Sequence, residues 1–173
     1  METFAAPPWV LAIAYWLHML ATVTWIGGLA AVALLVIPTA RRTVTGQAYA
    51  AFLAQVQKRL QAVGWFSLAV LILTGMFQMS SSPFYGGFLA IQNTWSIAML
   101  LKHLSIGLMV LFSGYLTWFL APALQRNALL LAAGKEIDPA KAARLRRQEQ
   151  LLLGLNVAAS ALVLLLTAIA RAA

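Results

Sequence analysis

The sequence predicts an all-α integral membrane protein, a four-helix up-down bundle with both termini on the outer side. Three observations carry this. Of the 173 residues, 62% are apolar or aromatic and only 9% charged, with a mean hydropathy of +0.85; a soluble domain carries about 25% charged residues. The apolar residues gather into stretches that each reach the roughly 20 residues needed to cross a bilayer. The basic residues are confined to two of the connections between those stretches. A soluble enzyme, a disordered tail and a secreted disulfide scaffold are thereby excluded. The net charge of +8 reports topology and contact with anionic lipid, not nucleic acid. Without cysteine there is no disulfide, thiolate metal site, iron–sulfur cluster or covalent c-type haem. Met1-Glu2 offers no basic start to a cleavable signal peptide.

The first span, about 9–38, is uncharged, enters after Pro7-Pro8 and closes at Pro38 before Arg41-Arg42. The uncharged run from Leu60 to Leu101 is too long for one span. The Ser80-Ser81-Ser82-Pro83-Phe84-Tyr85-Gly86-Gly87 breaker divides it into spans 60–79 and 92–121, the latter ending before Pro122. The fourth span is about 151–170. Residues 1–173 thus form a single transmembrane domain with basic loops at 39–59 and 123–150. No strand pattern and no sequence repeat is evident.

Arg41, Arg42, Lys58 and Arg59 lie in the first connection, and Arg126, Lys135, Lys141, Arg144, Arg146 and Arg147 in the third; the second has none. Basic loops stay cytoplasmic, so the expected location is the inner cell membrane, multi-pass, with the lipid bilayer as first partner. Asp138-Pro139 reads as a cap followed by proline at the first helical position, starting a polar helix that feeds the fourth span. Its arginines serve as a positive-inside anchor or as a docking patch for anionic lipid or a partner subunit.

Both histidines fall inside spans, where ionisable groups are costly and functional. His18 is 20 residues before Pro38, and His103 is 19 before Pro122. Each is therefore about 28–30 Å from the inner end of its helix, on helices running the same way. Axes of diagonal helices in a bundle are roughly 12–14 Å apart, from neighbour spacings of about 8–10 Å. Two imidazoles at one depth can then ligate one iron, which predicts haem b between helices one and three. Gly107, four residues after His103, leaves room for a macrocycle, while Thr22 and Trp25 on the His18 face supply wall or a hydrogen bond. Each histidine can also simply bond a neighbouring helix. Met76, Met79 and Met99 in the same layer add thioethers that suit copper(I), though methionine is equally a packing residue. Lys102, the only charge within a span, snorkels outward, pairs with a haem propionate or meets an anionic substrate.

The string Trp16-Leu17-His18-Met19-Leu20-Ala21-Thr22-Val23-Thr24-Trp25-Ile26-Gly27-Gly28, ending at Pro38, resembles the first helix of copper resistance protein D domains. Leu100-Leu101-Lys102 resembles a Leu-Leu-Lys segment of that family. HemJ-type protoporphyrinogen oxidases, membrane proteins that bind haem through a histidine, share a Leu-His early in the first helix and a later lysine. The resemblance implies that His18 is the family histidine and Lys102 the family lysine. Gly28-Leu29-Ala30-Ala31-Val32 stands where the HemJ group has Gly-Leu-x-Tyr-Leu-Pro-Arg, which favours the copper-resistance-like branch.

The expected function is a b-type haem membrane protein for electron transfer or haem-linked redox chemistry. Its alternatives are a copper-binding or copper-translocating protein and a small accessory subunit of a respiratory or photosynthetic complex. Other membrane redox subunits or a second copy of the chain are possible partners; nucleic acid is not. Whether the chain is an enzyme is left open by the sequence.

Overall fold

The computed structural model describes residues 7–44, 46–82, 84–85, 91 and 93–172. They form four long helices, with no strand among the described residues. Helix α1 runs Pro8–Ala31, passes through a π-helical turn at Val32–Val36 and continues as Ile37–Thr43; α2 is Gly46–Ser80. Helix α3 runs Thr94–Tyr115, through a π-helical turn at Leu116–Leu120, and continues as Ala121–Ala132; α4 is Pro139–Ala172. All four are long and apolar enough to cross a membrane.

Both π turns end just before a proline, Pro38 and Pro122. A proline ring clashes with the carbonyl four residues back and has no N–H for it. Widening the preceding turn lets the helix pass without breaking. The caps follow the local sequence. Asn93 and Ser96 form a reciprocal capping box at the start of α3. Gly134, at φ 69°, closes α3 with a Lys135 N–H bond to the Leu130 carbonyl at 3.0 Å and a Gly134 N–H bond to Leu131 at 3.0 Å. Asp138 Oδ1 accepts from the Ala140 N–H at 2.9 Å and starts α4, as its sequence foretells.

The segments expected as basic loops are mostly helical. Helix α2 already begins at Gly46, and α3 and α4 overrun into 123–132 and 139–150. The apolar run marks only the part of a helix that suits lipid. Residues 48–59, rich in Ala, Gln, Lys and Arg with no Gly or Pro, keep helical propensity beyond it.

Helix α1 lies along α2 and α3 along α4, and the two pairs share a core of Trp25, Leu29, Leu68, Met109 and Val163. Stacked Trp65 and Trp118, with centroids 5.3 Å apart, join α2 to α3; Gly114 makes room for the Trp118 ring, which an added Cβ would meet at 2.9 Å. Buried Ala14, Ala21, Ala98, Ser67, Ser105 and Ser160 show small residues at the helix contacts, as expected where lipid supplies no hydrophobic drive between helices. The outer surface carries large apolar side chains, among them Phe66, Leu73 and Leu111.

The two hairpins repeat one another in register, although no sequence repeat announces it. Pro122 follows Pro38 by 84 residues, and the two π turns are offset identically. At the same offset Ala14 and Ala98, Ala21 and Ser105, Trp25 and Met109, and Ile37 and Ala121 are all buried. In the second helices, Ser67 and Ser160 are both buried and 93 residues apart. Thr74 and Thr167, also 93 apart, each donate to the carbonyl four residues earlier, Val70 and Val163. Burial and backbone form are shared throughout, whereas identity is kept at only some positions, among them Pro38 and Pro122, Ser67 and Ser160, and Thr74 and Thr167.

Candidate functional site

The end of the molecule away from Arg41 and Arg146 is built where the start of α1 meets the end of α2. Gln78 Nε2 donates to the Ala14 carbonyl at 3.0 Å. One turn deeper, His18 Nδ1 lies 2.8 Å from Thr74 Oγ1. The Thr74 hydroxyl gives its single proton to the Val70 carbonyl at 2.6 Å, so it can only accept from His18. Nδ1 therefore carries hydrogen, and in the neutral ring Nε2 presents a lone pair. Gly75 permits this placement, since a Cβ there would stand 3.3 Å from His18 Cε1. A ring whose second nitrogen is fixed by a hydrogen bond is the usual state of a metal-ligating histidine.

Lys102 of α3 is half-buried and close enough to His18 for its charge to act on the ring. The four carboxylates of the chain, Glu2, Glu136, Asp138 and Glu149, all fall outside the apolar stretches, so none of those stretches supplies it a counter-ion. Lys102 is the position 84 residues after His18, which makes the two residues equivalents in the repeated register. His103 is one residue further, and one residue turns a helix by about 100°. Its ring is accordingly exposed, with Nδ1 donating to the Met99 carbonyl of its own helix at 2.6 Å. The two histidines, expected at one depth, thus differ in exposure and in partners.

The other expected residues divide in the same way. Thr22 gives its hydroxyl proton to the His18 carbonyl at 2.8 Å, within α1. Trp25 is buried in the core, against Gly64. Gly107 is exposed, with open space around it. Met76 is exposed and Met79 and Met99 are half-buried. Among the described residues no group of three or more His, Asp or Glu is placed to hold a metal ion.

Sequence reasoning missed Thr74, Gly75 and Gln78. Their signal was present as Thr-Gly-x-x-Gln, a small and polar patch at the level of His18 on a helix running the other way. Recognising it required the pairing register of α1 and α2, which only the packing supplies. No protein-family model, curated protein or solved structure matches the chain.

Proposed function

We propose that this is an integral membrane b-type haem protein serving electron transfer or haem-linked redox chemistry, with His18 as its protein ligand. The observation that carries the reading is the Thr74 bond to His18 Nδ1, which in the neutral ring leaves Nε2 with a lone pair, together with the reach of the Lys102 charge to that ring from a span that holds no acidic residue. That donor set fits haem: a neutral imidazole suits the iron, and the Lys102 ammonium suits a propionate of the macrocycle held between α1 and α3. When bound, the haem supplies one-electron exchange. The chain positions the imidazole through Thr74 and Gly75 and offers a compensating charge through Lys102. His103, turned outward, is not required as a second ligand in this reading. The resemblance of the first helix to copper resistance D domains, and of His18 and Lys102 to the HemJ-type histidine and lysine, supports the choice of these two residues.

In the proposed arrangement the chain is an up-down bundle in the inner cell membrane. Both termini lie outside, and the ten basic residues of the first and third connections face the cytoplasm. The charge asymmetry supports this orientation.

The test is the optical spectrum of the purified protein and of two variants. The wild type should show a Soret band, His18→Ala should lose it, and His103→Ala should keep it. Packing and backbone bonding should preserve the helices in both variants. Bound copper without a Soret band would favour the copper reading, and a colourless metal-free protein the accessory-subunit reading; either outcome overturns the proposal.

A further inference from the structure

The core below Trp25 contains polar groups that the protein itself does not satisfy. The Ser113 hydroxyl of α3 and the Oδ1 of Asn156 in α4 are buried and lack a hydrogen-bond partner among the described residues. Asn156 is fully buried, and its Nδ2 donates to the Leu152 carbonyl at 3.2 Å. Ser113 lines a partly open and largely apolar cavity of about 70 Å³, together with Gln57, Gln61, Thr117, Gly64 and Trp25. A water molecule needs about 10–15 Å³ of such space and two to four polar partners. The volume admits a few waters, and Gln57, Gln61, Ser113 and Thr117 supply the partners.

The polar groups have a direction. Gln57 donates through Nε2 to Glu149 Oε1, tying the cavity rim to a buried carboxylate of α4. Arg41 of α1 and Arg146 of α4 act on that carboxylate electrostatically, so the rim leads to the basic end of the bundle. On the other side Trp25, Leu29, Leu68, Met109 and Val163 form an apolar plug. Trp25 stands seven residues, or about 10 Å of helix, from His18.

We propose that this cavity is a hydrated half-channel. Water enters from the basic end past the Gln57–Glu149 bond and bonds Ser113 Oγ; it ends at the Trp25 layer. An unpaired polar atom is costly in a dry membrane core, whereas bound water satisfies it. Such a path carries small ions and protons from the basic side to mid-bundle while the plug keeps the opposite side closed. The inference does not depend on the cofactor assigned to His18.

The absence of cysteine in the chain makes an accessibility test clean. Ser113→Cys changes little more than oxygen to sulfur, and Val163→Cys puts a thiol in the apolar plug. Each full-length variant, in sealed membrane vesicles of known orientation, is exposed to silver ion. Thiols left unreacted are then counted with a fluorescent maleimide after denaturation. Ser113→Cys should react at least tenfold faster than Val163→Cys, and faster with silver on the side of Lys135 than on the side of Ser82. Thr117→Cys provides the same readout should Ser113→Cys fail to accumulate. Equal protection of the chamber and plug thiols would overturn the hydrated chamber. Equal or faster reaction from the Ser82 side would overturn its direction.

Discussion

Thr74→Val removes one acceptor and keeps the shape of the side chain, so it isolates what the hydroxyl does for His18. The wild-type bond is 2.8 Å long and joins α1 to α2. Interhelical hydrogen bonds inside membranes contribute on average about 0.6 kcal/mol and at most about 1.7, so the loss in stability should be no more than about 2 kcal/mol. The larger effect should fall on the ligand. Without an acceptor at Nδ1, neither the tautomer nor the rotation of the ring is fixed, and the loss of such a partner typically weakens metal affinity about 10–100-fold. Haem titration of the purified protein, followed at the Soret band, should show that weakening. Denaturant unfolding of the cofactor-free protein should change only slightly. Thr74→Ser, which restores the acceptor, should recover most of the affinity. If Thr74→Val binds haem as tightly as the wild type, the argument that Thr74 sets the ligating nitrogen of His18 is refuted.

Lys102→Met replaces the ammonium with an unbranched neutral side chain, and should weaken haem retention or shift the midpoint potential measured by redox titration; unchanged values would show that Lys102 has no part in the site. Met109→Ala empties a fully buried position between Trp25, Leu68 and Val163 and should cost about 2–5 kcal/mol in unfolding experiments, whereas exposed Leu111→Ala should cost little. A reporter inserted in the turn at Gly134 should read as cytoplasmic and one at Ser82 as external, because ten basic residues flank one side; the reverse pattern would invert the map.

Composition and charge placement alone determined that the chain is helical and apolar enough for a membrane, that one helix ends at Ser80 and that another starts at Asp138-Pro139, whereas the helices expected to end at Pro38 and Pro122 run through them. Those signals are local: a proline, a cap or a run of apolar residues acts on its own neighbourhood. Depth along a helix was estimated for the same reason, since rise per residue is constant, and led to the expectation that His18 and His103 share a layer. Which way a side chain faces was decided by the tertiary structure. A one-residue difference in register turns a helix by about 100°, enough to leave His103 exposed while Lys102 is half-buried. The Thr74 bond, the Gly75 gap and the orphaned groups around Ser113 and Asn156 each depend on residues from different helices meeting at one height. The repeated hairpin was hidden for a related reason: burial and the π turn before each proline recur, while most letters between the few shared positions differ.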